Sequence, residues 1–108
     1  MSKYQLRFWF EHGGFCLWGM NDKAKEMYGY AIKNEDLPIS EDLINVLNDL
    51  EYEYGTYLDW DYPTNPSPWT KERKLGFLDK TTDVYMDLKD ELGSEFEIIN
   101  EVDKSVVL

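Results

Sequence analysis

The spacing of hydrophobic residues changes along this chain, and that change fixes what it can fold into. Over residues 4–10, Tyr4, Leu6, Phe8 and Phe10 alternate with Gln5, Arg7 and Trp9. A period of two with bulky aromatic side chains is that of a β-strand. Glu11-His12-Gly13-Gly14 follows, where paired glycines permit the positive φ of a tight turn. Residues 15–20 predict a second strand, so the chain opens with an antiparallel hairpin. Beyond it the period lengthens. Leu43, Leu47, Leu50, Tyr54 and Leu58 recur at three- and four-residue steps, flanked by Ile44 and Val46. Ser40 supplies an N-cap, and Glu41 and Asp42 follow in the first turn, where the helix dipole favours carboxylates. A helix is therefore expected from Ser40 through Gly55 to Leu58. Leu75, Leu78, Thr82, Tyr85, Leu88 and Leu92, with Phe77 and Met86 beside them, predict a second long helix, capped by Thr70 or Ser67 and stopped by Gly93. A short helix is expected over Lys23–Tyr28, capped by Asn21 or Asp22 and ended by Gly29. Phe96–Ile99 reads as a third strand.

These elements predict an α+β fold of order ββ-α-α-α-β: a small antiparallel three-stranded sheet with two long helices packed on one face. The 108 residues suffice for one domain, with a core over about 4–102 and a frayed tail from Asp103. An antiparallel sheet can leave its second face wet, and Arg7, Trp9, Trp18 and Glu97 are the candidates for that face. Pro63, Pro66 and Pro68 make residues 59–69 an ordered, partly polyproline-like loop. The single cysteine, Cys16, excludes an internal disulfide and reads as a buried structural thiol. No stretch resembles a signal peptide or approaches the apolar length of a membrane helix, which points to a reduced, cytoplasmic compartment.

Charge is the strongest functional signal. Twenty-two Asp and Glu against eleven Lys and Arg leave a net charge of −11. That weighs against binding nucleic acid or an anionic membrane surface, both of which are held by cations, and favours a basic protein partner. The charge is also unevenly placed. From Asn34 to Thr70 there are nine carboxylates and no Lys or Arg. Like charges so clustered repel one another, and a sequence shaped by solubility alone would intersperse signs. Among them stand Tyr52, Tyr54, Tyr57, Trp60, Tyr62 and Trp69. Rings beside carboxylates capture Lys and Arg by cation–π attraction and charge-assisted hydrogen bonds. Tyr54 and Tyr57 fit an inward stripe, whereas Tyr52 does not. The candidate partner-binding set is Asp59, Trp60, Asp61, Tyr57, Glu53, Tyr52, Glu51, Tyr62 and Trp69, with Asp59-Trp60-Asp61 at its centre.

Covalent chemistry finds little support. Asp59-Trp60-Asp61 could open a calcium loop, but Pro63 takes the fifth position, no Gly follows and Thr70 stands at the twelfth. His12-Gly13-Gly14 is faintly like a hydrolase oxyanion loop, yet His12 is the only histidine and no nucleophile motif accompanies it. Neither a P-loop nor a metal-spaced Cys/His cluster occurs. No enzyme activity, cofactor or metal is expected.

The strings FWFEHGGFCLWGMN (residues 8–21) and NPSPWT (65–70) resemble those of short bacterial proteins with a Trp-rich hairpin and an acidic helix. Over residues 4 to about 102 the plan is similar to the immunity proteins of polymorphic-toxin and contact-dependent inhibition systems. The resemblance implies a small cytosolic protein that binds and neutralises a cognate toxin domain, often a basic nuclease. It assigns no residue by position, so the candidate set above stands on charge alone. The alternatives are a module binding a small ligand, a sugar or cationic metabolite, and a nucleic-acid mimic. The chain is expected to be a monomer or a homodimer.

Overall fold

A computed structural model describes residues 3–11, 14–57 and 66–106 of the chain. Strands β1 (Tyr4–Phe8) and β2 (Leu17–Gly19) form the expected hairpin, pairing antiparallel with Arg7 opposite Trp18. Backbone bonds from Trp9 N–H to the Cys16 carbonyl and from Glu11 N–H to the Phe15 carbonyl carry the ladder toward the turn. His12 and Gly13 lie outside the described residues. Helices α1 (Asp22–Tyr28), α2 (Glu41–Tyr54) and α3 (Lys71–Leu92) follow, then strand β3 (Phe96–Asn100). Short 3-10 turns stand at Asn34–Asp36 and Val102–Lys104.

Asn21, Ser40 and Thr70 cap the three helices, accepting from the N–H groups of Ala24, Leu43 and Arg73. Asn21 does more: its Oδ1 also accepts from Gln5 N–H and its Nδ2 donates to the Lys3 carbonyl, tying α1 to β1. Gly93 ends α3 at φ 75°, a left-handed conformation open to glycine.

The α+β class and element order hold, but the sheet is mixed. Its order is β2-β1-β3, and β3 lies parallel to β1, Leu6 opposite Ile98. The antiparallel arrangement expected for β3 is corrected by the connection: the chain leaves the hairpin, travels through the helices and returns in the direction of β1, as a crossover permits. Tyr4, Leu6 and Phe8 face the helices, buried with Ile98, Leu47, Leu88 and Phe77 in one core. The second face is wet only in part. Gln5 and Glu97 pair there, and Ile99 is exposed. Trp18 is covered by Trp9, Phe15 and Tyr30, with ring centroids 5.3–6.0 Å away. The Arg7 guanidinium lies 4.2 Å from the Trp9 ring, and its Nε meets Glu101 Oε1 at 2.9 Å as an ion pair.

Two further expectations change. The described part of α2 ends at Tyr54, where Gly55 closes the helix by donating to the Glu51 carbonyl; Leu58 lies outside the described residues. The described part of the tail is anchored at Ser105 and Val106, which are buried; Tyr54 Oη donates to the Ser105 carbonyl at 2.7 Å and Phe10 N–H donates to Ser105 Oγ at 2.9 Å, while Val107 and Leu108 lie outside the described residues.

The hairpin sits tightly against α1. A Cβ on Gly19 would lie 2.7 Å from the Gly29 carbonyl oxygen and 3.2 Å from Lys25 N. Both are backbone atoms and cannot swing aside. Gly19→Ala is therefore expected to destabilise the fold by about 1–3 kcal/mol, the range for overpacking, read as a lowered urea midpoint at unchanged slope.

Candidate functional site

Within the cation-free stretch, residues 41–54 form α2. Leu43, Leu47, Leu50 and Tyr54 turn into the core, which leaves Glu41, Asn45, Asn48, Asp49 and Tyr52 along the opposite side of the cylinder. Tyr52 is 84% exposed, the highest value among the large hydrophobic side chains described. Glu35, Asp36, Glu41, Asp42 and Asp49 are exposed, and Glu51 and Glu53 half-buried. Among the described residues one cation forms an ion pair with a carboxylate of this stretch: Lys80 of α3, 3.1 Å from Glu53 Oε1. A further acid closes on the helix start, where Glu91 accepts from both Ser40 N–H and Ser40 Oγ. The field over this side of α2 is thus negative and little compensated from within.

The aromatic candidates divide. Tyr57 is half-buried and stacks on Tyr54 at 5.3 Å and 10°. Trp69 is 4% exposed, edge-on to Tyr57 and 5.1 Å from Phe77, with its Nε1 donating to Thr56 Oγ1 at 2.8 Å. Its expected place on the binding surface is corrected: the indole is core, because α3 begins beside it and Phe77 packs against its face. Two rings already hold cations of this chain, Arg73 at 4.7 Å from Trp69 and Lys74 at 5.8 Å from Tyr57. Asp59, Trp60, Asp61 and Tyr62 lie outside the described residues. Ser67 Oγ donates to the Tyr57 carbonyl and accepts from Trp69 N–H. Ser67 is thereby tied to the residues that follow α2. Of the nine candidates, Glu51, Tyr52, Glu53 and Tyr57 lie on the last turns of α2 and the residues after it, with Glu51 turned to Cys16 and Asn34 and Glu53 to Lys80 of α3 on the other flank.

A polar cluster beneath Glu51 went unread in the sequence. Asn34 is buried and donates to Asn48 Oδ1 at 3.0 Å, while the Cys16 thiol stands 3.9 Å from Asn34 Oδ1. Cys16 is fully buried, as expected, and burial pushes its pKa well above the ordinary thiol value, aided by the Glu51 charge. Burial likewise raises the Glu51 carboxyl above its usual 4.5, opposed by hydrogen bonds from Cys16 and Asn34. A carboxyl whose folded pKa is raised favours the fold while protonated and loses that advantage as pH climbs from 4.5 through the raised value. Glu51→Gln is therefore expected to raise the melting temperature at neutral pH and to flatten the gain that wild type shows on mild acidification. Equal melting temperatures at neutral pH would contradict the burial argument. Spacing could not show this cluster, since Cys16 precedes β2, Asn34 opens a 3-10 turn and Glu51 lies on α2.

Among the described residues no group of His, Cys, Asp and Glu could hold a metal ion, and no helix is long and apolar enough to cross a membrane. The family model described as Serratia CdiI immunity protein-like matches residues 4–101 of the chain. None of the curated proteins compared with the chain matches it.

Proposed function

The chain belongs to the Serratia CdiI immunity protein-like family, and on that footing we propose that it is a non-catalytic inhibitor that neutralises a basic toxin domain in the cytoplasm. The proposed surface has Asp59, Trp60 and Asp61 at its centre, with Glu51, Tyr52, Glu53, Tyr57 and Tyr62 around them. One observation carries the reading: an almost fully exposed tyrosine on a helix side crowded with carboxylates, within 37 residues that hold no cation. Such an arrangement lowers the stability of the free protein through self-repulsion and recovers that energy when a cationic surface meets it. A nuclease is the toxin class with the best match, because the face that binds phosphates must itself be basic.

The test is neutralisation in cells. Wild type is expected to rescue growth of a strain expressing the cognate toxin domain, and the Asp59→Lys/Asp61→Lys protein is expected to fail while remaining folded and equally abundant. Full rescue by the reversed protein would move the interface elsewhere. Trp60→Ala is expected to weaken binding by about 2 kcal/mol or more, as truncation of a central aromatic anchor does; calorimetric titration reads this directly, and a loss below about 0.5 kcal/mol would remove Trp60 from the centre.

A further inference from the structure

The two edges of the sheet are finished differently. Beyond β2, residues 30–32 add a short pairing: Gly19 N–H donates to the Tyr30 carbonyl at 2.8 Å and Ile32 N–H to the Leu17 carbonyl at 2.9 Å. β2 is thereby covered. At the other edge stands β3. The Glu95 carbonyl and Glu101 N–H bond to β1, so by the alternation of a strand Glu97 and Ile99 also point inward to β1. Phe96, Ile98 and Asn100 point their backbone outward. Phe96 N–H is taken by the Gly93 carbonyl and the Ile98 carbonyl accepts from Tyr85 Oη at 3.0 Å. Among the described residues nothing accepts from the N–H of Ile98 or Asn100. The described chain after β3 turns away from them, burying Ser105 against Phe10 and Tyr54 and Val106 in the core.

Beside this edge two hollows line the seam between α3 and β3. One, about 730 Å³, lies between Tyr85, Lys89 and Asp90 on the helix and Phe96–Ile98 on the strand. The other, about 280 Å³, lies between Leu78 and Thr82 on the helix and Asn100–Asp103. Both are lined by polar and apolar side chains together, with Asp90, Glu97 and Asp103 set against the ammonium of Lys89. The seam therefore runs beside β3 with Tyr85, Phe96 and Leu78 among polar neighbours, three carboxylates against one ammonium, and two backbone donors at its edge that no described group accepts from.

We infer that the β3 edge receives an extended, lysine- or arginine-bearing segment of the partner protein as a fourth strand, its backbone meeting the Ile98 and Asn100 N–H groups. Addition of a strand to an open edge is an established mode of peptide recognition, with backbone bonds giving affinity and alternate side chains giving specificity. The charge identifies the occupant. A second copy of this chain carries the same −11 and would set the same carboxylates against each other, whereas a cationic strand places alternate side chains on Asp90 and Asp103. The inference rests on the partner being basic, as proposed above, yet it concerns a different surface from the α2 face and is tested without the toxin.

The experiment is amide hydrogen exchange on the full chain, alone and with the acetylated and amidated peptide Lys-Val-Lys-Val-Lys-Thr; its Glu-for-Lys counterpart is the control. The expected result is slowed exchange at Ile98 and Asn100, about tenfold when nine chains in ten are occupied, with Glu97 and Ile99 protected already in the free protein. The effect should be absent with the anionic peptide and lost in Asp90→Lys/Asp103→Lys, whose two sites are both exposed and leave the fold intact. Unchanged exchange with the cationic peptide at millimolar concentration would overturn the inference and leave β3 an edge guarded only by its charges. Protection that grows with protein concentration and without peptide would also overturn it, in favour of a second copy. Failure here leaves the neutralisation test on Asp59 and Asp61 unaffected, so the two readings fall separately.

Discussion

Phe77→Ala is expected to cost about 3–5 kcal/mol of folding stability, the range for truncating a buried phenylalanine, which is a third or more of what a domain of this size commonly has. Phe77 is 1% exposed and joins both halves of the fold, its ring 5.1 Å from Phe10 of the hairpin, 6.0 Å from Tyr54 of α2 and 5.1 Å from Trp69. Little around it can collapse into the void, because these partners are themselves rings fixed by hydrogen bonds: Tyr54 to the Ser105 carbonyl and Trp69 to Thr56. Leu75 is the informative comparison. It is 43% exposed, so Leu75→Ala should change stability by no more than about 0.5 kcal/mol, as surface substitutions do. Urea denaturation of the two variants measures the rotation of α3 about its axis. A larger loss for Leu75→Ala than for Phe77→Ala would contradict the packing described.

The second large effect falls on binding with folding untouched. Tyr52→Ala is expected to weaken the complex with the toxin by about 2 kcal/mol, close to a thirtyfold rise in Kd, while the urea midpoint stays where it is. The tyrosine makes no described contact with the core that truncation would break, and it is 84% exposed. The same substitution at Tyr54 would do the opposite, unfolding the protein through Phe10 and Phe77. Two tyrosines two positions apart on one helix thus separate binding from stability, and denaturation beside calorimetry shows which is which. Loss of stability in Tyr52→Ala, or unchanged affinity, would remove this residue from the interface.

How much of this was legible beforehand follows from which forces are local. The hairpin, the three caps and the inward stripe of α2 depend on residues within a few positions of one another, and alternation and capping chemistry identify them. The direction of β3 does not. Phe96–Asn100 has the same composition whether it runs parallel or antiparallel to β1, and only the path of the chain through α2 and α3 decides. The face of α3 was read about one position off over its first turns. Of the stripe Leu75, Leu78, Thr82, Tyr85, Leu88 and Leu92, the last two are buried as expected, but the first turns bury Phe77, Thr81 and Val84 instead, because the Phe10–Tyr54–Trp69 cluster draws Phe77 inward and turns the helix with it. The same cluster explains Trp69: beside carboxylates in the sequence, it lies beside Phe77 in space. Tyr52 was legible as an outlier from the α2 stripe, and its exposure follows from that geometry. The Cys16–Asn34–Glu51 contacts join three separate stretches of the chain and leave no periodic trace.

The central claim is that the cation-free carboxylate and aromatic surface of residues 51–62 binds a basic toxin. Its most direct test is affinity capture on the immobilised protein from lysate of the source cell, at low and at high salt, beside the Asp59→Lys/Asp61→Lys protein. The account predicts one dominant basic protein that is retained at low salt, released at high salt and not retained by the reversed protein, and that is toxic when expressed alone. A toxin held equally well by the reversed protein, or held without regard to salt, would contradict it.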